Sequence, residues 1–176
     1  MNKIKTLILL AALLTAVQWL KAQPMSWNIS NDYTIKFSGK KVDGFFRGLD
    51  VDIVFDENNP AASKIVAGVN ANTLNTGTGL KNKHAKSKKG IDAKRFGMIT
   101  FASRQIVKKG NAYEATGILT IKGMSNEIKL PFTFERIETD AVFKGKFSIK
   151  PRDYQVTRHG TPETIDIDLV VRVTTK

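Results

Sequence analysis

Few side chains in this sequence could do chemistry, and their spacing withholds most of it. There are two histidines, His84 and His159, and no cysteine. A catalytic zinc site takes three protein ligands in compact spacing. Here no His-x-His or His-x-x-x-His occurs, and the nearest carboxylate to His84 is Asp92. Without a thiol there is no Cys nucleophile, no thiolate metal site and no disulfide. A serine hydrolase of the nucleophile-elbow type needs Gly-x-Ser-x-Gly. Ser38 precedes Gly39 and Ser87 lies among lysines, neither in that setting. Gly77-Thr78-Gly79 is not followed by the Gly-Lys-Ser or Gly-Lys-Thr of a phosphate loop. Carboxylate pairs for glycoside hydrolysis would have to come from residues such as Asp50, Asp52, Asp166 and Asp168. Each of these stands on the polar side of an alternating run. The reading predicts neither an enzyme nor a metal site.

The densest charge is the stretch Lys81-Asn82-Lys83-His84-Ala85-Lys86-Ser87-Lys88-Lys89. Its plain reading is a solvated helix face, as charge runs usually are. Its functional reading is a collar, with Lys83, His84, Lys86, Lys88 and Lys89 attracting an anionic headgroup or an acidic membrane surface. Each Lys near such a surface contributes about 1 kcal/mol. No aromatic residue interleaves with these lysines, so bases would have no stacking platform, and nucleic acid is not an expected partner. The whole chain carries +12, a balance that favours anionic surfaces without choosing among them.

The elements that must position these residues follow a period of two. Tyr33, Ile35 and Phe37 alternate with Thr34 and Lys36; Leu49, Val51, Ile53 and Phe55 with Asp50 and Asp52. Further runs are Ile65–Val69, Ile99–Phe101, Tyr113–Ile121, Ile128–Phe134, Phe143–Ile149 and Ile165–Val173. Side chains alternate across a strand, so each run buries one face and wets the other. Eight such runs predict an all-β antiparallel barrel or sandwich. Lys108–Asn111 and Lys122–Asn126 read as hairpin loops. Residues 70–98 are too long for an ordinary connection and read as one or two short helices over a barrel mouth or flank. Leu80, His84 and Ile91 would share one helical face there, and Phe96 would seat the far end. An eight-stranded barrel is either filled by its side chains or holds one small ligand. Alternation by itself favours the filled core.

The start of the chain reads as an export signal. Lys3 and Lys5 precede an apolar run from Leu7 to Ala16 that reaches Leu20, and Ala22 stands before Gln23. The run is shorter than the roughly 20 residues that span a bilayer. Cleavage after Ala22 would leave one domain, residues 23–176, with 25 basic and 16 acidic residues and a net charge of +9. The expected location is the periplasm or the outside of the cell. Oligomeric state is open, a dimer included.

Trp27-Asn28-Ile29 and Thr34-Ile35-Lys36-Phe37 open a series of short motifs. Gly44-Phe45-Phe46, Ile53-Val54-Phe55-Asp56 and Thr73-Leu74-Asn75-Thr76 follow, and then Ile99-Thr100-Phe101-Ala102-Ser103, the most specific piece. Gly117–Gly123 and Arg152-Asp153-Tyr154 complete the series. In the order of these motifs the sequence resembles the YceI-like family of exported lipid- and polyisoprenoid-binding proteins. Departures are Gly97 for a usual Pro, Ala85 after His84, Gly90-Ile91-Asp92 for aromatics, and Gln155 for a common Gly. The resemblance implies an eight-stranded lipocalin-like barrel with a lined cavity for an isoprenoid, quinone or acyl chain, as carrier or reservoir. It implies no bound cofactor besides such a lipid. Wall candidates are then Phe37, Phe55, Phe101, Leu119, Phe132 and Phe147. Without the resemblance, a basic surface protein with a dry core, adhering to acidic polysaccharide or membrane, remains the alternative.

Overall fold

Each alternating run becomes a strand because it can satisfy its backbone with antiparallel neighbours while burying one face. The structure, a computed structural model, describes residues 25–175. Residues 1–22, the expected export signal, lie outside the described residues. The strands are β1 (Met25–Gly39), β2 (Val42–Phe46), β3 (Leu49–Phe55), β4 (Lys64–Asn70), β5 (Met98–Lys109), β6 (Ala112–Ile121), β7 (Met124–Ile137), β8 (Asp140–Ile149) and β9 (Ile165–Thr175). From β3 to β9 each pairs antiparallel with the next in a meander.

Closure comes from β1, which pairs with β9 along one edge, Trp27 opposite Thr175 through Ser38 opposite Asp166. Its other edge is shared. The far half takes β2, Ile35 opposite Phe46 through Gly39 opposite Val42, and the foot takes β3, Met25 opposite Phe55 and Trp27 opposite Ile53. β2 and β3 are thus two halves of one stave, broken at Arg47-Gly48. The result is a closed antiparallel barrel of eight staves with one extra strand. The sequence pattern does not show β2, because it is five residues long with Gly44 at its centre.

The two expected hairpin loops tighten to two residues. Lys122 and Gly123 both have positive φ, 54° and 76°, the geometry whose twist suits a hairpin. Met124–Asn126 therefore pair with Leu119–Ile121. Lys108 and Lys109 likewise pair with Tyr113 and Ala112, leaving Gly110-Asn111 as the turn.

Strand directions sort the connections by end. The β1–β2 turn, residues 71–97, the β6–β7 turn and residues 150–164 lie at one end, here the upper. Residues 56–63, 110–111 and 138–139 lie at the lower. The segment 71–97 carries a 3₁₀ turn at Ala71–Thr73 and one helix, α1 (Gly79–Lys86).

Candidate functional site

The barrel interior has two unlike halves, and inward-facing side chains along each strand show the change. On β9, Val173 at the lower end has 0% of its surface exposed, while Val171, Leu169, Ile167 and Ile165 are each partly accessible although they point inward. On β8, Ala141 is at 0% and Phe147 and Ile149 are partly accessible. The same holds on β3, from Phe55 at 1% up to Val51 and Leu49. Inward residues at the upper end face open space, a cavity of about 420 Å³.

Its floor is aromatic. The Phe55 ring lies 4.9–5.6 Å, centroid to centroid, from Tyr113, Phe132, Phe134 and Phe143. Trp27 meets Phe134 edge-on at 5.4 Å and donates its indole N–H to the Phe55 carbonyl at 3.1 Å. Arg136 lies over the Trp27 ring at 5.1 Å and pairs with Glu57 at 3.0 Å, sealing the end from below. Phe132 and Phe143 also border the cavity, so the plug's upper rings are its floor.

The wall is aliphatic with a few rings, and two of those lie over glycines. Gly44 stands opposite Phe37, and a Cβ there would be 2.5 Å from the Phe37 ring. A Cβ at Gly117 would be 2.8 Å from the Phe101 ring. Missing side chains on the neighbouring strand let these two rings settle against it. Ser103, the last residue of the most specific motif, is not part of the wall. Its hydroxyl accepts the Ile65 N–H at 2.9 Å beside the β5 irregularity, which keeps β4 and β5 joined.

The lid is tied down by polar bonds. An eight-residue helix is marginal alone, so α1 depends on its anchors. Thr78 caps its first turn, and Lys83, His84 and Lys86 occupy the last turn, where the helix dipole favours cations. Asn82 accepts from the Thr76 N–H at 2.6 Å and hydroxyl at 2.8 Å, and donates to Asn75 at 3.3 Å. Asn75 is itself paired to Phe45 of β2 by two 2.9 Å backbone bonds. Thr73 holds Arg47 N–H at 2.9 Å. Thr157 N–H donates to the Lys89 carbonyl at 3.0 Å, joining the two upper segments. Lys122 and Asn126 donate to the carbonyls of Gln155 and Asp153, at 2.6 and 3.0 Å. Gln155 takes φ 56°, a left-handed conformation. That conformation explains why glycine is at home in this position.

Of the six wall candidates, Phe37, Phe101, Leu119, Phe132 and Phe147 border the cavity. Phe55 does not. It is the centre of the plug beneath the floor, because it ends β3 at the lower rim. Of the collar candidates, His84 borders the cavity, Lys86 is half-buried, and Lys83, Lys88 and Lys89 are exposed. The expected helical face needs correcting too. α1 ends before Ile91, and Leu80 is 67% exposed. Lys81, His84 and Ala85 turn to the cavity instead. Phe96 seats against the β6–β7 turn at Gly123. Lys41 and Arg158 also border the cavity. Sequence patterning missed both, since they sit in separate loops and only the closed barrel brings them together. Asp50, Asp52, Asp166 and Asp168 are exposed on the outer face. Among the described residues no three His, Asp or Glu side chains gather to hold a metal ion. No helix there is long and apolar enough to cross a membrane.

Comparison with known proteins agrees with this architecture. The chain is 30% identical to a UPF0312 protein of Enterobacter sp. (strain 638) over 136 residues, 74% of this chain and 71% of that protein. It is 29% identical over the same shares to a UPF0312 protein of Pectobacterium atrosepticum. BcnA of Burkholderia cenocepacia superposes with a TM-score of 0.78 at 23% identity, covering 84% of this chain and all of that one. A polyisoprenoid-binding domain from Saccharophagus degradans, implicated in plant cell wall breakdown, superposes with a TM-score of 0.67 at 14% identity, covering 88% and 99%. At these identities the two structures show the shared fold. The family model for the YceI-like domain matches residues 22–175, essentially the whole barrel, and the chain belongs to that family.

Proposed function

We propose that this protein encloses the apolar tail of a lipid, an isoprenoid or acyl chain, in the upper half of its barrel and acts as a carrier or reservoir rather than as an enzyme. The observation that carries this reading is the cavity itself, about 420 Å³ behind an almost wholly apolar wall. That volume lies within the roughly 300–1,000 Å³ of small-molecule sites. An apolar tail would remove that wall from water, and each buried methylene is worth about 0.8 kcal/mol. Few directional groups are needed for such a ligand, which accounts for the absence of a polar motif. The polyisoprenoid-binding domain with the same fold supports the choice of ligand class. The expected export signal supports a role outside the cytoplasm. The exposed Lys83, Lys88 and Lys89 support attraction to an acidic membrane from which a lipid is drawn.

The test is extraction of the purified protein with organic solvent followed by mass spectrometry, together with uptake of a tail from acidic vesicles at low salt. The expected result is about one isoprenoid or acyl lipid per chain. Changing Lys83, Lys88 and Lys89 to Gln should slow uptake without altering the lipid held. A chain that yields no lipid and takes none up would refute the reading.

A further inference from the structure

The charges at the cavity mouth say more about the ligand than the wall does. Every cavity-lining residue that carries a full charge at neutral pH is basic: Lys41, Lys81 and Arg158. No aspartate or glutamate lines the cavity. The three cations come from three separate pieces of chain: the β1–β2 turn, α1 and the 150–164 segment. All three pieces lie at the upper end, so the cations stand round one opening. None of them is within ion-pair distance of a carboxylate among the described residues, whose ion pairs all involve other side chains. His84 and Thr161 line the cavity as well and can add an N–H and an O–H donor to the same place. The acids of this end, Asp43, Asp92, Asp153 and Glu163, are not part of the cavity wall.

From this geometry we infer that the site selects a lipid with an anionic headgroup, a phosphate or a carboxylate, held at the mouth by Lys41, Lys81 and Arg158. An apolar tail needs no cations beside it. A neutral headgroup would gain no ion pair from these three cations, of which Lys41 and Lys81 are exposed and Arg158 is half-buried. An anionic one turns the same charges into charge-assisted hydrogen bonds, the strong kind, with the Arg guanidinium able to grip two oxygens at once. The inference rests on the tail reading above and adds the headgroup to it.

Matched ligand pairs separate the two. The full chain is loaded with the neutral fluorescent probe N-phenyl-1-naphthylamine, which is then displaced by geranylgeranyl phosphate or geranylgeraniol, and by palmitate or hexadecanol. The anionic member of each pair should displace the probe at about tenfold lower concentration, as one good charge-assisted contact gives. The advantage should shrink as salt rises. In the variant Lys41→Gln, Lys81→Gln, Arg158→Gln the ratio should fall to near one with displacement by the alcohols unchanged. The variant Lys83→Gln, Lys88→Gln, Lys89→Gln loses equal charge away from the wall and should keep the ratio. Where the first variant does not fold, Arg158→Gln alone is read the same way, with a drop of about threefold expected. A preference for the phosphate without one for palmitate supports the inference and assigns phosphate as the source. Equal displacement by acid and alcohol overturns the headgroup assignment and leaves the tail reading standing, as does a preference the first variant keeps. Failure of all four to displace the probe overturns both.

Discussion

The lower and upper halves of this barrel are built from the same strands in the same alternation, yet one is solid and the other hollow. In the lower half, rings point at one another across the axis. Trp27, Phe55, Tyr113, Phe132, Phe134 and Phe143 interlock with edge-to-face and tilted pairings between 4.9 and 5.8 Å, and only Tyr113 on Phe132 is stacked, at 5.4 Å. In the upper half the wall is largely Ile, Leu, Val and Ala, too short to meet across an eight-stave barrel. Two of the rings there, Phe37 and Phe101, lie over Gly44 and Gly117 instead. Alternation thus decides which face is inside, and side-chain volume decides whether the inside is filled. The plug supplies stability that the cavity does without.

The sharpest way to break this comparison is at the centre of the plug. Phe55→Ala removes a ring that is 1% exposed and wedged among four others. It should cost about 3–5 kcal/mol, as buried Phe→Ala changes do, seen as a lower denaturant midpoint with unchanged slope. Molecules still folded should hold lipid as before, because Phe55 is not on the cavity wall. A loss under 1 kcal/mol, or lipid loss without instability, would mean that the two halves are not separate in function.

At the other end the expected response reverses. Leu169 faces the cavity from β9, opposite Gly145, and remains partly accessible. Leu169→Trp should project its added bulk into the space a tail would take. Lipid uptake should fall about tenfold, while stability changes by under about 1 kcal/mol. Overpacking a filled core would instead cost typically 1–3 kcal/mol. Uptake measured beside the unfolding midpoint discriminates. A large stability loss with uptake unchanged would show a packed interior at Leu169.

The legible part of this molecule was the part governed by period. Ile165, Ile167, Leu169, Val171 and Val173 declare one strand face without ambiguity, and eight such runs declare the barrel. Volume along the axis was not legible, because it depends on register. Phe55 and Phe37 look alike in sequence, each in the apolar phase of its run. Only pairing puts Phe55 at the foot beside Met25 and Phe37 near the mouth beside Gly44. The lid was half legible. Lysine density marked its place, but the helix had no apolar stripe to orient it, and Leu80 turned outward. What orients it is the Asn75–Thr76–Asn82 hydrogen-bond cluster, a local polar arrangement with no periodic signature.

The smallest expected effect compares two buried tyrosines, one at each end. Tyr113 belongs to the plug and its hydroxyl donates to the Glu57 carbonyl at 3.3 Å. Burial, and then the charges of Glu57 and Asp56, push its pKa above the ordinary tyrosine value. Tyr154 borders the cavity. Burial raises it too, a hydrogen bond with Asn126 pulls the other way, and the Asp153 charge raises it again. Both are therefore neutral at physiological pH. The folded-state pKa exceeds the unfolded value of about 10, so the unfolded chain gives up these protons first. The stability each contributes is complete below about pH 10 and is lost as pH climbs through the folded value. Chemical denaturation between pH 8 and 11.5 should show stability falling above pH 10, less steeply in Tyr113→Phe and in Tyr154→Phe. Tyr154 keeps only 2% of its surface exposed although it borders the cavity, so a neutral apolar ligand should leave both shares of the alkaline loss where they were. A ligand that delays the loss in Tyr113→Phe but not in Tyr154→Phe would overturn this and show that the Tyr154 hydroxyl meets the cavity.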